Sequence, residues 1–144
     1  MEEALRDFAQ VAQLAREPLD EGELEAGYYP APHMPPSSLL PGFMAVYCFC
    51  YSDVWLKIGK AGPKSGPRYT SHHYRTSAPS TLAKSLIADP RMKLVVEFDP
   101  EEPREWICAH TNRVNILLPA TRNRTLLSLL ESFLHARFRP RYEG

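Results

Sequence analysis

Two short apolar runs, residues 43–51 and 54–60, stand at the centre of the hydrophobic pattern of this chain. Both are rich in aromatic and β-branched residues, and a polar pair separates them, so they predict two antiparallel strands joined by a tight hairpin. Successive side chains of a strand point to opposite faces. Tyr47, Phe49 and Tyr51 are therefore expected on one face of the first strand, with the alternating valine and cysteines on the other.

Other parts of the chain carry helical periodicity. Residues 2–16 place apolar side chains at i, i+3 and i+4 spacing, and residues 121–138 form the longest such stretch, which Pro140 ends. Shorter helices are predicted over residues 67–76, 80–88 and 100–110, and further strands over residues 92–98 and 113–118. Residues 17–42 contain six prolines. This segment is predicted to be an extended surface linker that forms neither a helix nor a central strand.

The chain is long enough for one domain with a hydrophobic core. Its 144 residues divide into an acidic helix with a proline-rich linker, residues 1–42, and a body of residues 43–144. The net charge of zero conceals an asymmetry, because residues 1–26 hold eight acidic and two basic residues, a formal charge of −6, and the rest carries +6. A basic body is compatible with nucleic-acid binding, although a solvated helix surface explains the acidic leader equally well.

Composition also narrows the cellular setting. No apolar run approaches the roughly 20 residues that span a bilayer, and the acidic N-terminus lacks the pattern of a secretory signal. The three cysteines form neither an even framework nor a CxxC motif, so we expect reduced thiols in a cytoplasmic protein. Cys48 and Cys50 share a strand face and could ligate a metal. Without two further ligands at suitable spacing, they are better explained as small buried residues.

The loop GKAGPKSGP at residues 59–67 follows the second strand. It lacks the G-x-x-x-x-G-K-[ST] order of a phosphate-binding P-loop. Its glycines are expected to let the backbone turn sharply out of the strand. Backbone amides there, together with Lys60 and Lys64, are candidates to meet a phosphate. The loop is also predicted to bring Arg68 beside the two strands.

An ordered set of motifs resembles the GIY-YIG nuclease superfamily. It comprises AVY at residues 45–47, KIG at residues 57–59, Arg68 with His72 four residues later, and Glu131 on the last helix. The ending LHARFRPRYEG also resembles the segment after the metal-binding glutamate in the bacterial nucleotide-excision repair nuclease and in certain restriction enzymes, with agreement at Pro140 and Tyr142. The resemblance covers residues 43–144. Each tripeptide alone is common, so the ordered set in matching structural contexts carries the comparison.

The resemblance implies catalytic roles for the strand residues. Tyr47 would help to activate the attacking water or act as the general base, and Lys57 would stand where most members have a second tyrosine. Gly59 would provide the close turn at the strand end. A tyrosine with its ordinary pKa near 10 is a poor base at neutral pH. Positive charge from Lys57, Arg68 and a metal ion is expected to lower the pKa of Tyr47.

The resemblance extends to the helices and to a metal ion. Arg68 would contact the scissile phosphate, His72 would lie near the nucleophile, and Glu131 would bind a single Mg²⁺ or Mn²⁺ ion. A guanidinium and a hard cation are suited to the charge that develops on a phosphodiester during cleavage. Substrate contacts are further expected from Gly59, Lys60, Lys64, Arg75 and Glu143. Taken singly, each residue has an ordinary packing or surface explanation, and the set together favours a site.

Three positions depart from the family pattern. Ala45 replaces a glycine of the first motif, Lys57 replaces the tyrosine of the second, and Glu143 replaces the terminal asparagine. Lysine occurs at the second position in some members, including restriction enzymes. Glu143 adds a negative charge that would join metal binding or repel phosphates. Additional residues, about 90–111, precede the strand that leads to the last helix.

Pattern and resemblance together predict an α/β fold. We expect a small, mixed but mainly antiparallel three-stranded sheet flanked by helices, with an N-terminal helical arm. The expected activity is metal-dependent hydrolysis of DNA, without membrane association. Small proteins with such a domain often rely on a homodimer or a larger DNA-targeting partner. The alternatives are a nucleic-acid-binding module of the same fold without catalysis, and a protein-interaction module that acts through the N-terminal helix.

Overall fold

A computed structural model, which describes residues 1–142, has an α/β architecture in which helices flank one antiparallel sheet. Strands β1 to β4 span Glu25–Tyr29, Phe43–Tyr51, Val54–Ala61 and Asn112–Pro119. They pair in the order β1-β4-β2-β3, and every pair is antiparallel. The predicted fold class is confirmed, but the sheet has four strands where three were expected.

Five α-helices surround the sheet. Helices α1 to α5 span Glu2–Leu14, Gly66–Thr70, Leu82–Ala88, Pro103–His110 and Arg124–Phe138. Turns of 3-10 helix occupy His72–Tyr74 and Pro90–Leu94. Within residues 1–142, none of the helices combines the length and the apolar character needed to cross a membrane.

The two faces of the sheet have different cores. Helices α1 and α5 cover one face with a largely aliphatic core, in which Phe8 and Ala12 of α1 are fully buried. The predicted apolar stripe of the first helix is therefore used in packing against the sheet and α5. Helices α2 to α4 cover the other face, called the aromatic face below because its core is richer in aromatic side chains, among them Tyr47, Phe49 and Trp106. The functional residues considered below are organised around this aromatic face.

The additional strand, β1, lies in the segment predicted as a linker. Its residues pair with β4 at the edge of the sheet, so residues 1–42 contribute to the same sheet as the body. Neither face of β1 is buried, and Tyr28 and Tyr29 are both exposed. An edge strand without a buried face shows no alternation of apolar residues, and that is the pattern that sequence reasoning requires.

Two further predictions were wrong in detail. Residues 92–98, predicted as a strand, finish the turn Pro90–Leu94 and continue as irregular chain, where Leu94 is 84% and Val96 100% exposed. Apolar composition alone does not make a strand when no neighbouring strand is available to pair with it. The predicted helix over residues 67–76 is divided into α2 and the turn His72–Tyr74, and this division changes which histidine faces the sheet.

A candidate active site at the open edge of the sheet

A cleft of about 330 Å³ lies beside β3, the edge strand next to β2. Four of the predicted residues line it: Lys57, Gly59, Arg68 and Glu131. Lys57 and Gly59 stand opposite Phe49 and Tyr47 of β2, so they belong to the aromatic face of the sheet. Glu131 comes from α5, which packs on the other face. The cleft therefore forms where the sheet ends and the two faces meet.

Tyr47 and Gly59 are coupled by direct packing. They are partners in the β2–β3 register, and Tyr47 is completely buried. A Cβ atom on Gly59 would lie 2.6 Å from the hydroxyl oxygen of Tyr47 and 2.8 Å from two of its ring carbons. The expectation that Gly59 forms a close turn at the strand end needs correction, because it lies inside β3. Glycine is required there because the Tyr47 ring crosses over its backbone.

The hydroxyl of Tyr47 has two nitrogen partners. His73 Nε2 lies 2.7 Å and Arg68 Nε 3.4 Å from the phenolic oxygen. The backbone N–H of Leu82 donates to His73 Nδ1 at 3.3 Å. Burial, followed by the charges of Lys57, Arg113, Arg68 and His72, lowers the pKa of His73 to about 3, so the imidazole is neutral at neutral pH.

These contacts assign the tautomer of His73. A neutral imidazole that accepts at Nδ1 carries its proton on Nε2, so His73 Nε2–H donates to Tyr47. Arg68 Nε–H donates to the same oxygen. The phenolic oxygen thus accepts two hydrogen bonds, which leaves the proton of Tyr47 available to a third group. The pair of donors leaves the phenol free to act as a hydrogen-bond donor, although Tyr47 is fully buried and is not among the residues that line the cleft.

The electrostatic prediction for Tyr47 was wrong in its net direction. Burial raises the pKa of Tyr47, and the opposing effect of the Arg68 hydrogen bond and of the Arg68 and Arg113 charges is smaller. Of the positive groups expected to favour a phenolate, only Arg68 lowers the pKa of Tyr47 here, together with Arg113, and desolvation of the buried ring outweighs both. Without substrate or metal, Tyr47 is therefore a neutral phenol.

His73 occupies the position next to Tyr47 that was expected for His72. A continuous helix would align His72 with Arg68, four residues earlier. Helix α2 instead ends at Thr70, and the 3-10 turn His72–Tyr74 rotates the chain. His73 becomes buried against Tyr47, with ring centroids 4.9 Å apart. His72 lies on an adjoining cleft, described below.

Within residues 1–142, Lys57 is buried and has no acidic hydrogen-bond partner. Its Nζ donates to the backbone carbonyl of Tyr142 at 3.1 Å and to Ser80 Oγ at 3.3 Å. Only 4% of the residue is exposed. Desolvation lowers the pKa of Lys57, and the charge of Arg68 lowers it further. Burial thus makes the neutral form of Lys57 less unfavourable than that of a solvated lysine, which is the direction that suits a proton acceptor.

The C-terminal segment holds Lys57 in place. The backbone N–H of Tyr142 donates to the carbonyl of Leu56 at 2.8 Å, and its hydroxyl donates to Asp89 at 2.6 Å. Burial and the bond with Asp89 raise the pKa of Tyr142 to about 12. The segment thus acts as a short extra partner along the start of β3.

Glu131 is the one predicted metal ligand. Its Oε2 lies 2.6 Å from Lys60 Nζ, and the two side chains are 18% and 36% exposed. One turn later on α5, His135 also lines the cleft, and its Nε2 lies 3.1 Å from the carbonyl oxygen of Ile58. Within residues 1–142, no group of three or more His, Cys, Asp or Glu side chains could hold a metal ion.

This donor set fits only one kind of metal site. Mg²⁺ commonly binds one or two protein carboxylates and completes its coordination with water and substrate phosphate oxygens. Glu131, at the wall of an open cleft, is the residue that would hold such an ion, and Lys60 is its present partner.

The remaining predicted contacts are dispersed. Lys64 is exposed and lines the adjoining cleft with Arg68. Arg75 lies in a separate depression formed with the start of α4, because the chain becomes extended after the 3-10 turn. It is thus away from the cleft that Arg68 and Glu131 line. Glu143 lies outside the described residues.

Sequence reasoning missed Arg113, the largest fully buried side chain. Its guanidinium donates to Asn115 Oδ1 at 2.8 Å, to the Tyr74 hydroxyl at 3.0 Å and to the Tyr69 carbonyl at 2.6 Å. None of these acceptors is acidic. Its Cζ lies 4.9–5.8 Å from the centroids of four aromatic rings: Tyr47, Phe49, Tyr69 and Tyr74. Alternation in β4 places Arg113 on the aromatic face, and that was its only signal in the sequence.

No protein-family model, curated protein or solved structure matches this chain. The functional interpretation therefore depends on the residues of the cleft and on the physical chemistry of their arrangement.

Proposed function

We propose that this protein is a divalent-metal-dependent endonuclease that hydrolyses DNA phosphodiester bonds by a GIY-YIG-type mechanism. One observation carries the proposal: the Arg68 guanidinium contacts the Tyr47 hydroxyl at the wall of a cleft that Lys57 and Glu131 also line. These groups come from two distant parts of the chain, residues 47–68 and Glu131 of α5. Their convergence at an open edge supports a common substrate with a negatively charged reacting group.

Each group has a task that its environment supports. Arg68 is exposed and carries a fixed positive charge, so it would bind the scissile phosphate and stabilise the charge that develops there. Glu131 would hold Mg²⁺ or Mn²⁺, and the bound ion would supply further charge neutralisation. That role requires Glu131 to leave its ion pair with Lys60.

Two residues would share the activation of the attacking water, one by positioning it and one by accepting its proton. Tyr47, oriented by His73 and Arg68, would position the water through its own hydroxyl proton. The raised pKa of the phenol makes Tyr47 a poor proton acceptor. Lys57, whose pKa is lowered by burial, is the better candidate to take the proton from the water.

The test of this proposal is nicking of supercoiled plasmid in Mg²⁺ or Mn²⁺. The wild-type protein is expected to cut, and Glu131→Gln is expected to abolish cutting with little change of volume. Glu101→Gln is the matched control, since Glu101 is an exposed carboxylate before α4, and it should cut like wild type. Binding of DNA without cleavage under either metal would contradict the proposal.

The ion pair between Lys60 and Glu131 favours a second candidate, a nucleic-acid-binding module that retains the fold without catalysis. In that case the carboxylate serves only to neutralise Lys60. Plasmid binding that is unchanged in Glu131→Gln, with no cleavage in any variant, is the result that this alternative predicts. The alternative of an interaction module acting through α1 has less support, because Ala4, Phe8 and Ala12 are buried.

The proposed cellular setting is the cytoplasm, with DNA as the partner and a homodimer or larger DNA-targeting partner to select the site. The three cysteines are free, and two of them are buried. Reduced thiols of this kind are usual in the cytoplasm. A DNA-binding protein encounters its substrate there in cells without a nucleus.

A further inference from the structure

A second cleft, of about 440 Å³, adjoins the first. The two clefts share Arg68, His73 and Ser80, and the second continues along the outer side of α2. Its volume lies within the range of small-molecule sites, roughly 300–1,000 Å³. Arg68 therefore stands at the junction of two connected depressions rather than at the end of one.

The second cleft has a uniform charge. Its titratable lining residues are Lys64, Arg68, His72 and His73, and no acidic side chain lines it. Lys64 is exposed, and within residues 1–142 it takes part in neither an ion pair nor a side-chain hydrogen bond. The first cleft differs, because Glu131 provides a carboxylate there. The arrangement offers a cation to an anionic group beyond Arg68 and no carboxylate to a hard metal ion.

The walls of the second cleft complement a nucleoside. Pro67 and Pro79, with Ala78, present apolar surfaces beside the basic residues. Flat apolar surfaces next to cations suit a sugar or base that is attached to a phosphate, because the ring contacts the apolar wall while the phosphate meets the charge.

From this geometry we infer that the second cleft is a subsite for the nucleotide next to the scissile phosphate. Lys64 and His72 bind its phosphate, and the proline walls contact its sugar or base. The inference rests on the proposed function, in which Arg68 holds the scissile phosphate. It goes further by fixing the path of the strand, which runs from Glu131 past Arg68 to Lys64.

The test uses equilibrium binding of short single-stranded oligonucleotides to the full chain in EDTA, where cleavage does not contribute. Lys64→Ala is expected to weaken binding and to reduce the salt dependence by about 0.7 in the slope of log K against log salt, the value for one lost phosphate contact. His72→Ala is expected to weaken binding as well. Lys84→Ala, on the exposed side of α3, is the matched control and should leave both affinity and slope unchanged.

Three ligands separate a nucleotide from a simple anion. A 5′-phosphorylated dinucleotide should bind more tightly than the same dinucleotide without the phosphate, and Lys64→Ala should remove that difference. Inorganic phosphate should compete only weakly. If phosphate binds as tightly as the phosphorylated dinucleotide, the nucleotide subsite is wrong.

The outcome is distinguishable from failure of the nuclease proposal. Lys64-dependent binding in EDTA without any cleavage in Mg²⁺ would support the subsite and contradict the enzyme. Cleavage by the wild type, with Lys64→Ala and His72→Ala binding like Lys84→Ala, would support the enzyme and overturn the subsite.

Discussion

Two arginines approach Tyr47, and they lie in opposite environments. Arg113 is 1% exposed, with its Cζ 5.5 Å from the centroid of the Tyr47 ring, and its guanidinium donates to three neutral acceptors. Arg68 is exposed, and its Nε lies 3.4 Å from the Tyr47 hydroxyl. The sealed arginine has no route to a substrate, whereas the open one meets both clefts. Arg113 therefore stabilises the structure around the site, whereas Arg68 is available to contact a substrate.

The contrast between the two arginines shows that a buried charge can stabilise the structure around a site. A buried cation without an acidic partner is costly unless hydrogen bonds compensate it. Arg113 meets this condition and joins β4 to the chain of α2 and the following turn through Tyr69 and Tyr74. It thereby holds in place the segment that carries Arg68 and His73. Variants of these residues can separate a role in stability from a role in catalysis.

The largest expected effect is on stability and comes from the sealed arginine. Arg113→Met removes a donor from three buried acceptors, of which the Tyr74 hydroxyl keeps His33 Nε2 as a partner. The expected cost is about 2–4 kcal/mol of unfolding free energy. Arg68→Met, at an exposed position, should change stability by no more than about 0.5 kcal/mol. Urea denaturation of both variants measures the contrast. Equal destabilisation by the two changes would remove the distinction between a framework arginine and a functional one.

His73 provides a pH-dependent test of the same framework. Its pKa is about 3 in the folded protein, against 6.5 for a solvated histidine, so the unfolded chain binds more protons between these limits. Stability from neutral His73 is complete above about pH 6.5 and is lost as the pH falls through that window. Lowering the pH from 7 to 5 should cost about 2 kcal/mol through this group.

The variant His73→Gln isolates that contribution. A glutamine amide can accept from Leu82 and donate to Tyr47 without titrating. The loss of stability between pH 7 and 5, measured by urea denaturation at each pH, should therefore be smaller in His73→Gln than in wild type. A pH dependence identical in the two proteins would show that His73 is not the buried neutral group inferred from its hydrogen bonds.

Gly59 tests the packing of the phenol itself. Gly59→Ala places a methyl group against the Tyr47 ring and should cost about 1–3 kcal/mol of stability through overpacking. Gly66→Ala is the matched control, because a Cβ atom there meets nothing within 4 Å. Thermal or urea denaturation of the two variants makes the comparison. If Gly59→Ala and Gly66→Ala change stability equally, the close approach of Tyr47 to β3 does not require glycine at position 59.

The sequence predicted the elements that carry Tyr47 and Glu131 better than the segments around them. Strong alternation located β2, and the long periodic stretch located α5, so Tyr47 and Glu131 were assigned to the correct elements. The prediction of a continuous helix after Arg68 was wrong, because spacing alone does not distinguish a 3-10 turn from a continued helix. As a result, His73 lies next to Tyr47, where His72 was expected.

Other features had little or no local signal. A single arginine within a strand gives no indication that aromatic rings from other elements will enclose it, and so Arg113 was not anticipated. The edge strand β1 exposes both faces and therefore lacks periodicity. The ion pair between Lys60 and Glu131 depends on the packing of α5 against β3, which only tertiary structure determines.

The smallest expected effect concerns that ion pair. Lys60→Met removes a cation that competes with a metal ion for Glu131, and a partly exposed pair of this kind is worth up to about 1 kcal/mol. The affinity for Mn²⁺ should rise by at most about fivefold. Electron paramagnetic resonance of free Mn²⁺ measures this without any cleavage, with Lys84→Met as the control. A weaker affinity in Lys60→Met would mean that Lys60 assists the metal rather than excludes it.

The most direct test of the account is the single-turnover rate of DNA cleavage in Mg²⁺ by Arg68→Ala. The account predicts a rate about 10²–10³-fold below wild type, with folding stability nearly unchanged and with Arg124→Ala, an exposed arginine at the start of α5, cutting at the wild-type rate. Cleavage by Arg68→Ala at the wild-type rate would contradict the claim that the open arginine acts on the scissile phosphate.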